Sequence, residues 1–337
     1  MNKILFSLRL VCLTISLNSL AGVVFDPISY ESISEPEIDS QGHIKQKIIH
    51  RINKKETNPQ YPKEFGYVPT SGSTSPSSLP IIYHGGPVMT SPNIYVIWYG
   101  NWNQSNGTDN ASGQNIVMNL LFGLRLSDNG YVQITTIGGY STPSMISSVG
   151  ASYNYPAGAS YAKTLSDSNI KTIVLNSIKA GLGKSSPLNN NIYLVLTSSD
   201  VSETSGFCSK YCGWHTYTAS TNIGETIKYA FIGNSARCLS SCSAQSVSPN
   251  NNAGVDGMAS VIAHEIEETV TDPNLNAWFN SQGSENADIC AWTFGSAPTL
   301  LQNGSYANVT FSQSSSFLLQ RALKARDSKC YISSTKQ

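Results

Sequence analysis

The sequence has no excess of charge of either sign and none of the glycine loops that bind phosphate. Its 337 residues include 21 basic and 21 acidic residues, and only 12% of the chain is charged. Nucleic acids and anionic membranes attract basic surfaces, so the composition does not support a nucleic-acid partner. The patterns G-x-x-x-x-G-K-[ST] and G-x-S-x-G do not occur. Their absence argues against a P-loop nucleotide hydrolase and against a serine hydrolase with a nucleophile elbow.

Long apolar runs are absent except in the first residues, "MNKILFSLRLVCLTISLNSLAG". Lys3 near the start, a short apolar run, and the small residues Ser19 and Ala21 are typical of a cleavable secretory signal, here residues 1–21. A membrane anchor is the weaker alternative, because the run contains Arg9 and is shorter than the about 20 residues that span a bilayer. No transmembrane segment is predicted after it. We therefore expect a secreted protein, either extracellular or held in a cell wall or matrix.

Cysteine is scarce, and one of the seven cysteines, Cys12, leaves with the signal. The other six form an even set, which favours disulfides in an exported chain. Their spacing predicts two small-loop bridges and one bridge that ties down the C-terminal tail. These are Cys208–Cys212, Cys238–Cys242 and Cys290–Cys330. A structural zinc site built from the four clustered cysteines is the alternative, which export disfavours.

The chain divides into an N-terminal arm and one domain. Residues 22–80 are a pro-segment or flexible arm ending in the Ser/Pro-rich linker "TSGSTSPSSLP", which cannot bury a core. Residues 81–337 have the size of a single domain. Runs with helical period alternate with apolar runs that predict strands, which indicates an α/β domain with a mixed sheet and packed helices. The predicted strands are "NIYVIWYG", "YVQITTIGGY", "NIYLVLTSSD", "GWHTYT" and "KYAFIGN".

Five Asn-x-Ser/Thr tripeptides could carry N-linked glycans in an exported chain. Three of them fall close together, which indicates a surface loop whether or not it is glycosylated. The five asparagines are Asn103, Asn106, Asn110, Asn303 and Asn308.

The segment "SVIAHEIEETVTDP", residues 260–273, nearly matches the motif of helix-based zinc proteases. Asp256 is a fair N-cap and Pro273 ends the pattern, which predicts a helix from Gly257 to Thr271. The second histidine of the protease motif is replaced by a glutamate. The segment is therefore a metal site, a decayed metal site, or an acidic helix surface.

A helical wheel separates the charged residues of this helix. Glu265 points into the apolar arc, His264 and Glu268 lie just beside it, and only Glu267 points clearly to solvent. An unpaired charge on a packed face costs free energy, and a bound dication removes that cost. The placement favours a metal site over a solvated acidic surface.

A zinc site follows from the chemistry of these side chains. His264 and Glu268 are one turn apart and can bind one zinc ion together, while Glu265 is placed as the catalytic base that activates a water molecule. A third ligand must come from elsewhere. The segment "SENADICAW" offers Asp288, with Glu285 as a second ligand or an outer support.

Other residues have weaker claims. The competing interpretation is that the glutamates decorate a helix and His264 hydrogen-bonds a neighbour. His215 either faces the site from an edge strand or is an ordinary polar residue, and the second is favoured. Asp272 is expected to support the ligands, and His84 is interpreted as part of a turn.

Four blocks together resemble the EXORDIUM or phosphate-induced protein family, in order and across most of Tyr83 to Trp292. They are "YHGGPVMTSPNIYVIWYGNW", "GFCSKYCGWHTY", "KYAFIGNSARCLSSC" and "GVDGMASVIAHEIEETVTDPNLNAWF". The resemblance implies an extracellular or cell-wall-associated protein, linked in plants to growth control, with no established enzymatic activity.

The chain departs from the plant members at the helix. There the plant segment is small and apolar, whereas microbial relatives are more similar, with His-Glu-x-x-Glu, Thr-Asp-Pro and a later Glu-x-x-Asp-x-Cys. The matching residues here are His264, Glu265, Glu268, Asp272, Glu285, Asp288 and Cys290. This resemblance implies a zincin-like ancestor from which plant forms lost the metal site.

The resulting prediction is a single disulfide-bonded, zincin-like α/β domain that acts as a zinc-dependent hydrolase of metallopeptidase type. Its substrate would be an extracellular peptide or cell-wall or matrix material. The alternative is a non-enzymatic extracellular or cell-wall protein involved in growth or signalling. The sequence leaves the substrate and the oligomeric state open.

Overall fold

The structure is a computed structural model. It describes residues 37–38, 44–45, 81–125, 146–155, 160–219, 225–296, 298–311, 315–325 and 328–332. The predicted signal, nearly all of the arm at 22–80 and the predicted strand at 131–140 lie outside these residues. Within the arm, only a two-residue antiparallel pair, Glu37–Ile38 with Ile44–Lys45, is described.

A six-stranded mixed sheet forms the centre of the domain, as the alternation of strands and helices predicted. Its strands are β1 (Asn93–Tyr99), β2 (Ser148–Val149), β3 (Tyr153–Tyr155), β4 (Asn191–Thr197), β5 (Gly213–Ala219) and β6 (Thr226–Gly233). The strand order is β5-β6-β4-β1, and β2 and β3 both pair with β1 on the side away from β4. All neighbours are parallel except β5, which is antiparallel to β6 at the edge.

Five α-helices accompany the sheet in the described part of the chain. They are α1 (Ala111–Arg125), α2 (Asp167–Lys179), α3 (Leu239–Cys242), α4 (Ala253–Thr271) and α5 (Asn286–Ile289). The motif helix is α4, and its start corrects the prediction. Asn252, not Asp256, is the N-cap, because its side chain accepts the Val255 N–H at 3.2 Å. Asp256 instead accepts hydrogen bonds from Asn250 within the first turn.

Short strand pairs and two 3₁₀ turns complete the described elements. The 3₁₀ turns are Leu188–Asn190 and Ser235–Arg237. The pairs are Ile82–Tyr83 with Trp278–Phe279, Thr164–Leu165 with Ser202–Glu203, Thr299–Leu300 with Tyr306–Ala307, Val309–Thr310 with Ser316–Phe317, and Ala322–Lys324 with Lys329–Tyr331.

The sheet is the middle layer between α4 and α2. Side chains alternate between the faces of a sheet, so Gly213, His215 and Ala230, which pairs with His215, share one face. Helix α4 packs against that face. On the opposite face, the Tyr193 hydroxyl lies 3.5 Å from the Leu182 carbonyl, just after α2. The apolar strands β1 and β4 are therefore buried on both sides.

Three disulfides are present, and two of the predicted pairings are wrong. The C-terminal pairing is confirmed. The bridges are Cys208–Cys238, Cys212–Cys242 and Cys290–Cys330, with Cα atoms 5.7, 5.5 and 5.7 Å apart. Because all four clustered cysteines are in disulfides, they do not form a zinc site.

The geometry of the β5–β6 hairpin explains the correction. Gly213 at the start of β5 pairs with Ile232 near the end of β6. The chain entering β5 therefore lies beside the chain leaving β6, and each of these two bridges joins residues 30 apart. The spacing of the cysteines along the chain favoured the local pairs because it contains no information about which strands pair.

The asparagines of the Asn-x-Ser/Thr tripeptides differ in exposure and in the hydrogen bonds that their side-chain amides make. Asn103 is exposed. The Asn308 amide nitrogen donates to the carbonyls of Phe294 at 3.0 Å and Leu319 at 2.7 Å, and that of Asn106 donates to Asp109 at 2.7 Å. A glycan on Asn308 would replace one of the two amide hydrogens that make these bonds, so Asn103 is the better acceptor. Glycan attachment itself stays a prediction.

None of the helices in the described part of the chain combines the length and apolar character needed to span a bilayer.

Candidate metal centre

Helix α4 is buried along nearly its whole length, including its charged residues. His264 is 2% exposed, and Glu265, Glu267 and Glu268 are 0% exposed. The expectation that Glu267 faces solvent is wrong. Its carboxylate accepts a hydrogen bond from the Asn286 side chain at 2.8 Å. The short helix α5 covers the side of α4 that the helical wheel assigned to solvent. An acidic, solvated helix surface is therefore excluded.

The structure brings together the three side chains predicted to hold a metal. His264 Nε2 lies 3.1 Å from Glu268 Oε1 and 3.8 Å from Asp288 Oδ1. Ligand atoms from all three lie within 4.8 Å of one another. The ligand assignment itself remains a prediction, and this geometry permits it.

A second group adjoins the first and contains a histidine that the sequence analysis ranked low. His215 Nε2 lies 2.9 Å from Glu285 Oε2 and 3.8 Å from Glu268 Oε2. His215 and Glu285 are each 1% exposed. The alternation of β5 places His215 on the same face as Gly213, toward α4, so only the pairing of the edge strand could have identified it.

Helix α5 is fixed to α4 by one backbone hydrogen bond as well as by the Asn286 side chain, and a second backbone hydrogen bond orients Asp288 within the α5 segment. The Asp288 N–H donates to Glu268 Oε1 at 2.9 Å, and the Glu285 N–H donates to Asp288 Oδ2 at 3.1 Å. The carboxylates of the centre are thereby held in fixed orientations. Asp272 acts at the end of α4, where its carboxylate accepts the N–H groups of Asn276 and Ala277 at 2.6 and 2.7 Å.

The donor set fits a divalent ion such as zinc. Two ligand atoms of one tetrahedral zinc ion lie about 3.4 Å apart when each is about 2.1 Å from the ion. The four nitrogen–oxygen separations in the centre, 2.9, 3.1, 3.8 and 3.8 Å, fall on both sides of that value. Among the described residues, Glu268 Oε2, Glu285 Oε1 and His215 Nδ1 have no hydrogen-bond partner. Buried polar atoms without partners are costly, and a cation would satisfy the two oxygens.

The electrostatics of the centre reflect burial and crowded negative charge. Burial and the nearby Asp288 raise the pKa of Glu268 to about 7, and burial raises the pKa values of Glu265 and Glu285 well above their usual range. Burial lowers the pKa of His215 to about 3, so its imidazole is neutral, which is the form that binds metals.

His264 shows the opposite balance. Burial alone would lower its pKa, but Glu268, Asp288 and Glu265 together raise it well above the ordinary value. The carboxylates thus favour a positive charge at this place, and a dication would displace the proton and supply that charge.

Glu265 belongs to neither group of candidate ligands and lies against the start of β5. Neither of its carboxylate oxygens has a hydrogen-bond partner among the described residues. A Cβ atom added to Gly213 would lie 2.8 Å from Glu265 Oε1 and 2.7 Å from Val261 Cγ1. Only glycine allows β5 to approach α4 this closely.

The Gly213→Ala variant is expected to destabilise the domain by about 1–3 kcal/mol, because the new methyl group meets Val261, Glu265 and the fixed Phe231 carbonyl. Thermal unfolding checks this. Combining it with Val261→Ala should cost less than the sum of the two single changes, because the smaller residue removes one contact. If the free-energy costs of the two single variants simply added in the double variant, the close approach of β5 to α4 at Gly213 would be contradicted.

A family model described as the phosphate-induced protein 1 conserved region matches residues 81–332 of the chain. This is well over half of the 337 residues. The chain belongs to the phosphate-induced protein 1 family. The matched region includes both histidines and all the carboxylates of the centre.

Similar members of the phosphate-induced protein 1 family come from plants. EXORDIUM-like 5 of Arabidopsis thaliana is 30% identical over 239 residues, which cover 64% of this chain and 64% of that protein. EXORDIUM-like 3 of Arabidopsis thaliana is 32% identical over 63% of this chain and 69% of that protein. PHOSPHATE-INDUCED 1 of Nicotiana tabacum is 35% identical over 34% of this chain and 40% of that protein. The chain thus spans about two thirds or less of these relatives. No solved structure matches the chain.

Proposed function

We propose that the chain is an exported, extracellular member of its family in which the buried centre holds a divalent metal ion, with zinc as the best match. The ion would stabilise the folded domain of a non-enzymatic extracellular or cell-wall protein involved in growth or signalling. His264, Glu268 and Asp288 would hold it. The three disulfides are compatible with export.

Burial is the observation that carries this proposal. A hydrolase must bring a scissile bond to its metal, yet His264 and Glu268 side chains are 1% and 0% exposed and that of Asp288 is 9% exposed. A structural metal site is closed to solvent and substrate, as these residues are. The plant relatives are named EXORDIUM-like and PHOSPHATE-INDUCED, and these names refer to no reaction.

A zinc-dependent hydrolase acting on extracellular peptides or cell-wall or matrix material is the second candidate, and Glu265 favours it. The carboxylate follows His264 in the chain and has no hydrogen-bond partner among the described residues, so no structural role is evident for it. Zinc would polarise the substrate carbonyl, and Glu265 would accept the proton of the attacking water. This candidate requires that a part of the domain opens.

The Glu265→Gln variant separates the two candidates. Because Glu265 is not among the proposed ligands, the variant should keep the zinc content and thermal stability of the unaltered chain. A peptide library is incubated with the zinc-loaded unaltered chain or with the zinc-loaded variant and analysed by mass spectrometry. We expect no cleavage of the library by the unaltered chain or by the variant. Cleavage by the unaltered chain that Glu265→Gln abolishes, with zinc retained, would replace the first candidate by the second. Absence of zinc from the unaltered chain would contradict both.

A further inference from the structure

Two groups of metal-binding side chains meet at Glu268, and each contains one histidine. Glu268 Oε1 lies 3.1 Å from His264 Nε2, while Glu268 Oε2 lies 3.8 Å from His215 Nε2. The two oxygens of one carboxylate thus face different imidazoles. This is the geometry of a carboxylate that can bridge two ions.

Each group also has a carboxylate of its own. Asp288 Oδ1 lies 3.8 Å from His264 Nε2, and Glu285 Oε2 lies 2.9 Å from His215 Nε2. Asp288 and Glu285 are three positions apart at α5, so one short helix supplies a carboxylate to each group. In each group the candidate ligand atoms lie within 4.8 Å of one another.

We propose that the centre holds two divalent ions bridged by Glu268, with His264 and Asp288 completing the first position and His215 and Glu285 the second. The inference rests on the proposed metal centre and adds a second ion to it. The second position takes the same class of ligand, a divalent transition-metal cation, because it offers one imidazole and two carboxylates.

Charge balance supports two ions rather than one. The two groups contain three carboxylates, those of Glu268, Glu285 and Asp288, and Glu265 is near enough to interact with the charges of Glu268 and Asp288. Metal binding requires ionised carboxylates and neutral imidazoles. One dication would then leave negative charge unbalanced in a region with almost no solvent contact, whereas two dications balance the three ligand carboxylates and Glu265 as well.

The second position also contains unpaired donor atoms. Glu285 Oε1 and Glu268 Oε2 have no hydrogen-bond partner among the described residues, and both residues are at most 1% exposed. If His215 only oriented Glu285 through a hydrogen bond, these two oxygens would remain buried without partners. A second cation satisfies them, and the simple hydrogen-bonded pair does not.

Metal stoichiometry tests the proposal. The purified chain is stripped with a chelator, dialysed against buffered zinc, and analysed by inductively coupled plasma mass spectrometry together with variants. The unaltered chain should hold two zinc ions. His215→Ala and, as a variant of equal size, Glu285→Gln should each hold one, and His84→Ala, at an exposed histidine outside the centre, should hold two. Circular dichroism confirms that each variant is folded.

The possible results separate this inference from the proposed function. Two ions in the unaltered chain, falling to one in His215→Ala or Glu285→Gln, support it. One ion in the unaltered chain, retained in both variants, overturns the second position and leaves the single-metal proposal standing. No ion in any form overturns both.

Discussion

The Glu268→Gln variant is expected to lose the zinc-dependent stability of the domain. At a free zinc concentration 100-fold above Kd, binding to the native state adds about 2.7 kcal/mol of stability. For a domain of this size that corresponds to a rise in Tm of about 5–10 °C. Glutamine has nearly the same size but a neutral amide, which is a poor zinc ligand and cannot bridge two ions. We expect its zinc affinity to fall by more than about 100-fold, beyond the loss typical for residues that only support ligands.

The same variant is also expected to have a distinctive Tm in its metal-free form. Glu268 lies among other buried carboxylates, and burial and Asp288 raise its pKa to about 7. Replacing it with a neutral amide removes an unfavourable charge, so metal-free Glu268→Gln should melt at or above the Tm of the metal-free unaltered chain. Differential scanning calorimetry with and without zinc measures both effects. Glu225→Gln, the same substitution at a residue outside the centre, should keep the full zinc-dependent rise, and an equal rise in Glu268→Gln would contradict the assigned role.

Removing the bridge between Cys212 and Cys242 should have the other large effect. Deleting a native disulfide costs about 2–5 kcal/mol, chiefly by freeing the unfolded chain. The Cys212→Ala/Cys242→Ala variant should therefore unfold about 5–15 °C lower. The bridge also braces the centre, because Cys212 precedes Gly213, which contacts Glu265, and the Cys242 carbonyl closely approaches Gly257 of α4. Zinc affinity should fall as well.

The neighbouring bridge provides a matched control. Cys208→Ala/Cys238→Ala opens a loop of the same separation, 30 residues, and Cys208 precedes Cys212 by four residues, so it lies farther along the chain from Gly213. It should lower Tm by a similar amount but weaken zinc binding less. Equal loss of zinc affinity in the two double variants would contradict the bracing role.

The pairing itself is directly measurable. Trypsin cuts after Lys210 and Arg237, so Cys208 and Cys212 fall in different peptides, 185–210 and 211–228. In the non-reduced digest both should be linked to peptide 238–321, which contains Cys238 and Cys242. A direct link between 185–210 and 211–228 would instead indicate the local pairing that spacing alone predicted.

The helix of the metal centre could be predicted from the sequence because the pattern that specifies it lies within one short segment of the chain. The helical period of the apolar residues places Glu265 on the packed face and puts His264 and Glu268 one turn apart, and the structure buries all three. The environment of Glu267 could not be derived in this way. Its burial depends on Asn286 in α5, which follows α4 after a turn and returns against it.

The second half of the centre depends on contacts between distant parts of the chain. His215 reaches Glu285, 70 residues later, only because β5 pairs antiparallel with β6 at the sheet edge. The same pairing decides the bridges Cys208–Cys238 and Cys212–Cys242. A short strand such as "GWHTYT" indicates which side chains share a face, but strand order and packing decide what covers that face.

Anomalous X-ray diffraction from crystals of the zinc-loaded chain tests the central claim most directly. Data collected on both sides of the zinc absorption edge locate the ion independently of any assumed ligand. We expect an anomalous peak bounded by His264 Nε2, the Glu268 carboxylate and the Asp288 carboxylate. Crystals with no peak at this position, grown from protein loaded with zinc and folded as described here, would contradict it.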